Sequence, residues 1–245
     1  MMRYVRHLAL GAACLALLGC GSTESGTPVG VGAKTTPATS DETTAGDSTA
    51  GKPTATKKAS GGFKPSDKDK DPTNRIDGVT EQKYVAGQHV RTPQRVAYDH
   101  TPPLGGAHDA VWAACNGVVY AKAVRTEHLV HSLEHGAVWI TYDPDKVRGA
   151  AVRTLAAKVD GEPYTVMSPY PGQPKPVSVQ SWGKQLQVDG VDDARIDQFV
   201  QATRANPYLT PEPGASCDST TFDQDDPPPF DPSPPGPDAV PPTGR

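Results

Sequence analysis

Between about Ile76 and Thr210 the chain carries its large apolar residues in ordered patterns; outside that stretch it does not. Val138-Trp139-Ile140-Thr141-Tyr142, rich in β-branched and aromatic residues and preceded by Gly136, predicts a strand. Val177 to Trp182 and Gln185 to Val188 alternate with period two, as strands with one buried face do. Tyr164 to Met167 is another strand candidate. Asp145 to Val159 instead repeats Val147, Ala151, Leu155 and Val159 at the spacing of a helix face. Asp192 to Arg204 groups Ile196, Phe199 and Val200 on one face, with Asp192 or Asp193 as starting cap. Thr126 to Gly136 reads as a short helix with Thr126 at the N-cap and Gly136 just past the C-cap. Strands and helices mix without regular βαβ alternation. The expected class is therefore α+β: one compact domain with a mixed or antiparallel sheet and two to three helices.

The flanks lack this patterning. Residues 20–75 are mostly Thr, Ser, Gly, Ala, Pro and Lys, with Val29, Val31 and Phe63 the large apolar exceptions. Such a segment buries too little surface to offset ordering entropy, and is expected to be a disordered linker spanning roughly 40 Å. Residues 218–245 contain Asp225-Asp226-Pro227-Pro228-Pro229 and Pro232-Ser233-Pro234-Pro235. They are expected to form a disordered acidic, proline-rich tail that solubilises the end of the chain; a ligand for a proline-reading partner is the alternative. The folded domain is thus bounded at 76–217.

The first residues change the picture of where this domain works. Arg3, Arg6 and His7 precede an apolar run from Leu8 to Leu18, and Leu17-Leu18-Gly19-Cys20 resembles a bacterial lipobox. The run is shorter than the roughly 20 residues that span a bilayer, so residues 1–19 read as a cleaved lipoprotein signal peptide. Cys20 becomes the lipidated residue, and the chain is expected to be lipid-anchored on the extracytoplasmic face of the cell membrane. Of the four cysteines, Cys14 leaves with the signal and Cys20 takes the lipid. Cys115 and Cys217 remain, and in an oxidising compartment they are expected to form a disulfide. Free thiols or a thiolate metal site are the alternatives. The net charge is −4 without a basic cluster, which sets aside a nucleic-acid partner.

Histidines supply the candidate chemistry. Apart from His7, all lie between His89 and His135. His100 to His108 brackets a Pro- and Gly-shaped loop able to aim a side chain. On the predicted helix His131 and His135 are four apart and share a face, a spacing suited to Zn²⁺ or Cu²⁺. His108 is the expected third ligand, with His89 and Glu127 behind it. A hydrogen-bonded histidine network without metal is the competing reading. His131-Ser-Leu-Glu134-His135 also fits H-x-x-E-H, in which Glu134 would activate water. The domain is small for such a protease and a further ligand motif is missing, so Glu134 is a weak catalytic candidate. No G-x-S-x-G elbow or phosphate-cradling loop is present.

Pro102-Pro103-Leu104-Gly105-Gly106-Ala107-His108, then Cys115, then Val130-His131-Ser132-Leu133-Glu134-His135-Gly136-Ala137-Val138-Trp139, resemble the domain of unknown function 3105 family. Ser181-Trp182-Gly183 and Glu212 to Cys217 resemble its later segments. The resemblance runs from about Tyr84 to Cys217. It implies a bacterial secreted, lipid-anchored or single-span protein and carries no activity with it. His89, His108, His131, His135 and Glu134 match its histidine motifs, whereas His100 and His128 fall outside them. Three functions follow: a metal-binding module, a structural or envelope-interaction lipoprotein without metal, and, less favoured, a metal-dependent hydrolase. The protein partner, if there is one, is not legible.

Overall fold

The strand expected around Trp139 lies at the centre of the molecule. In the computed structural model, which describes residues 62–243, β5 (Val138–Tyr142) is buried along its whole length. Its neighbours are β6 (Thr165–Pro169), parallel, and β7 (Val177–Ser181), antiparallel. Outward from β7 lie β8 (Lys184–Val188) and β1 (Val79–Glu81), both antiparallel; outward from β6 lies β4 (Asn116–Val119), parallel. The sheet order is β1-β8-β7-β5-β6-β4. A separate parallel ladder pairs β2 (His89–Val90) with β3 (His108–Asp109).

Alternation along β5 sorts the core into two. Val138, Ile140 and Tyr142 point to one face, where they meet Met167, Val177, Val179, Leu186 and Val188. Leu155 of α2 (Ala150–Ala156) and Ile196, Phe199 and Ala202 of α3 (Ala194–Thr203) close that side. Trp139 points the other way and joins Val166 with Leu129 and Leu133 of α1 (Thr126–Glu134). This is the expected α+β domain, with a mixed sheet and three helices. Among the described residues, no helix is long and apolar enough to cross a membrane.

Three local expectations change. The period-two strand β7 is buried on both faces, because α1 and its loops cover the polar one. There Gln180 Nε2 donates to Ser178 Oγ and Thr141 Oγ1, while Gln180 Oε1 has no partner among the described residues. The helix expected over 145–159 is confined to α2: the Asp143 carboxylate caps the Asp145 amide in a turn, and Gly149 (φ +58°) precedes the first helical residue. In α1 the N-cap is Arg125, not Thr126, and its amide donates to the Pro228 carbonyl at 2.7 Å. The C-terminus of α1 is as expected. Gly136 (φ +97°) donates to Leu133 O and Ala137 to Ser132 O, the paired bonds of a Schellman cap. A Cβ at Gly136 would also meet Thr210 Oγ1 at 2.9 Å.

Both flanks need correction where they are described. Residues 62–75, assigned to the linker, lie on the domain. Asp71 caps a short turn over Pro72–Arg75 and accepts from Lys184 Nζ at 2.7 Å, while Phe63 packs against the core. Residues 218–243, assigned to a disordered tail, cross the domain as an extended strap. Phe222 is buried beside Tyr120, Val240 pairs with Val96, and Pro242 O accepts from Ala107 N at 2.7 Å. Composition misled for a physical reason. A proline segment lacks donors but keeps every carbonyl, so it can satisfy amides such as those of Arg125 and Ala107 without a ladder of its own. Cys20 and the leader lie outside the described residues.

Candidate metal centre

α1 is buried all round, so its polar residues must find partners inside the protein. Helical geometry decides which. Glu134 is three residues after His131 and His135 is four after it, so each is a neighbour of His131. They diverge from each other by about 100° around the axis. His131 consequently sits between two groups of side chains.

The first group is assembled by the β2–β3 ladder. Its parallel register sets His89 directly beside His108. The Gly106–His108 loop is fixed by the strap: a Cβ at Gly106 (φ +106°) would meet Pro242 O at 2.7 Å. Ring centroids are separated by 4.9 Å for His89–His108, 4.6 Å for His108–His131 and 5.1 Å for His89–His131. Glu134 completes the set, with Oε2 at 2.9 Å from His108 Nε2. One ligand atom from each of His89, His108, His131 and Glu134 lies within 4.8 Å of all the others. His89 is exposed beside a cleft of about 410 Å³; the other three are buried.

The hydrogen bonds around these rings determine their chemistry. His108 Nδ1–H donates to Gly106 O at 2.8 Å, and His131 Nδ1–H to Asp109 O at 2.6 Å. Each bond fixes a tautomer with a free Nε2 lone pair, the arrangement by which backbone carbonyls orient metal-ligating histidines. Glu134 Oε1 accepts from Gly87 N at 2.6 Å, but among the described residues its buried Oε2 has no donor, and neither has His108 Nε2. Two buried acceptors therefore face each other, which calls for a cation or a proton between them. Burial, followed by the neighbouring His108 and His135, holds the His131 pKa down at about 3, leaving it the neutral imidazole that ligates metal.

Three imidazoles and one carboxylate suit zinc or copper in a four-ligand site. Ligands of one tetrahedral zinc at roughly 2.0–2.1 Å sit about 3.4 Å apart. Closing the group around an ion thus requires side-chain shifts of an ångström or so. Arg125 braces the scaffold: it donates to Asp109 at 2.6 Å, and Asp109 is the residue whose carbonyl orients His131.

His135, expected beside His108 and His131, belongs to the second group instead, with His131 and Glu212. Its Nδ1–H donates to Ser216 O at 2.7 Å, and its Nε2 is 3.4 Å from Glu212 Oε2. Glu127, the other expected alternative, is not brought to either group. It lies nearly two turns before Glu134, roughly 10 Å along the axis, and binds Val96 N and Arg125. His128 donates to Val111 O, away from both groups, and His100 pairs with Asp99. Glu134, read as a catalytic candidate, is drawn into the four-residue set. Sequence reasoning missed Glu212, whose only signal is its place five residues before Cys217, and the Gly87 amide, which had none. The expected disulfide is present: Cys115 and Cys217 are bonded and staple the 212–217 segment to the sheet.

A family model described as a protein of unknown function (DUF3105) matches residues 89–219, and the chain belongs to that family. Comparison with curated proteins and with solved structures gave no match. The matched segment contains every residue of both histidine groups and stops before most of the strap. Deleting residues 220–245 is expected to free the loop that aims His108, since it removes the Pro242 carbonyl that accepts from Ala107 N. Amide hydrogen exchange of the truncated and full chains checks this: Ala107 should exchange faster in the truncated chain, and equal rates would show the strap to be a mere cover.

Proposed function

We propose that this is an extracytoplasmic, lipid-anchored binding module that holds one divalent zinc or copper ion through His89, His108, His131 and Glu134. The observation that carries the reading is the pair of facing, donorless atoms His108 Nε2 and Glu134 Oε2, with the Nδ1–H groups of His108 and His131 already committed to carbonyls. Such a cluster exposes lone pairs to one point and leaves them without protein donors. A binding role is favoured over hydrolysis because Glu134 Oε1 accepts from Gly87 and its one uncommitted oxygen, Oε2, faces His108 as a proposed ligand atom, which leaves neither for a base. A base that activates water needs a free oxygen beside an open coordination position. The lipid anchor is supported by the lipobox-like Leu17-Leu18-Gly19-Cys20 and by the adjoining polar stretch before residue 62.

Elemental analysis of the purified full chain after zinc or copper loading and desalting is expected to find one ion per chain. The His108→Ala, His131→Ala double variant is expected to retain none, while its circular dichroism stays that of the folded protein. Full retention by that variant would sink the reading and leave the histidines as a bracing network. Palmitate labelling that persists in Cys20→Ala would remove the anchor from the proposal without touching the metal site.

A further inference from the structure

We propose that His131, His135 and Glu212 form a second, shallower metal station, through which divalent ions reach the buried set, with His131 shared between the two. This rests on the metal-binding reading above. One ligand atom from each of these three residues lies within 4.8 Å of the others, and the His131 and His135 ring centroids are 4.6 Å apart. With its Nδ1 bonded to Asp109 O, His131 has only Nε2 to offer, and that nitrogen carries one lone pair. The stations therefore exclude one another: an ion held by His131 in the outer group must leave His135 and Glu212 as it gains His108 and Glu134. His131 keeps its contact throughout.

The two approaches to the site differ in charge. The cleft beside His89 is walled by Arg91, with Gln88 and Gln94, and presents a cation to an incoming cation. On the other side, the Glu212 side chain is 47% exposed, so a carboxylate faces solvent next to a buried imidazole. A focused negative group raises the local concentration of divalent ions. The outer group is also built and not incidental. Ser216 O fixes the His135 tautomer with Nε2 toward Glu212, the Glu212 amide donates to Glu134 O at 3.2 Å, and the Cys115–Cys217 bond secures the segment that carries both. Trp112 lies over the group, its ring 4.8 Å from His135 and 5.5 Å from His131. Trp182, in contrast, sits 5.9 Å from His108, at the inner group. Each station thus has a tryptophan beside it, with Trp139, packed against α1, a background common to both.

Stopped-flow mixing of the full chain with Cu²⁺, a quencher of tryptophan fluorescence, separates the steps. Trp182→Phe reports the outer station through Trp112, and Trp112→Phe reports the inner one through Trp182. Quenching of Trp112 is expected to precede that of Trp182. Glu212→Gln, a surface change, is expected to slow the Trp182 phase on the order of tenfold, the scale on which loss of one supporting group weakens a site. Elemental analysis should still find one ion per chain at equilibrium, and Arg91→Gln should leave the Trp182 rate unchanged. Trp182 quenched first, an unaltered Trp182 rate in Glu212→Gln, faster loading in Arg91→Gln or two ions per chain would each overturn the relay while leaving the inner site intact. A wild-type chain that takes up no Cu²⁺ would remove the relay together with the binding reading.

Discussion

Replacing Cys115 and Cys217 together by alanine is expected to lower the unfolding free energy by about 4–5 kcal/mol and the melting temperature by about 10–20 °C. The bond joins residues 102 apart in sequence, and the entropy of closing so long a loop is lost from the unfolded chain when they are linked. Both half-cystines are buried in the cluster around Trp139 and Leu133, so the bridge also holds the 212–217 segment against α1. The same variant should therefore lose the outer histidine group, since Ser216 O no longer orients His135. Thermal and denaturant unfolding of the oxidised protein and the variant measure the first effect. A change of only a few degrees would mean that the segment is held by packing and the bridge is secondary.

The second large effect joins metal to stability and carries a sign that separates two states of the site. Zinc at about a thousand times its dissociation constant is expected to raise the unfolding free energy by about 4 kcal/mol, or about 8–16 °C in melting temperature. Glu134→Gln should abolish that increment. The metal-free variant, however, should be more stable than the metal-free wild type, by about 1–3 kcal/mol. Its amide keeps the Gly87 bond through Oε1 and donates an N–H to His108 Nε2, replacing two buried acceptors that face each other. If His108 is instead doubly protonated and paired with the Glu134 carboxylate, the substitution breaks a buried ion pair and destabilises by about 3–5 kcal/mol. Calorimetric unfolding of both proteins, with zinc and after chelator dialysis, gives all four numbers.

Much of the fold follows from local pattern. The strands at 138–142, 165–169, 177–181 and 184–188 were legible because β-branched and alternating residues are short-range signals. α3 was legible because Asp193 caps it and Ile196 and Phe199 share a face. The cap at Gly136 and the pairing of Cys115 with Cys217 came from residue chemistry in the same way. Residues 62–75 and 218–243 were not legible as parts of the domain. Their attachment depends on side-chain caps and on proline carbonyls meeting distant amides, and neither leaves a periodic trace.

The candidate site divides along the same line. By itself, the sequence determined that histidines able to ligate a metal are concentrated between His89 and His135 and that His131 and His135 share one edge of a helix, since a helix fixes the direction of residues three and four apart. Glu134 was legible only through H-x-x-E-H, which left its direction open and suggested that both histidines would serve one ion. Only the tertiary structure decided which side chains join them. The two-residue ladder of β2 with β3 set His89 against His108, and the stapled loop brought Glu212 to His135. Those are pairings between segments far apart in the chain. Their geometry is set by packing against α1 and the sheet, which no local spacing of residues encodes.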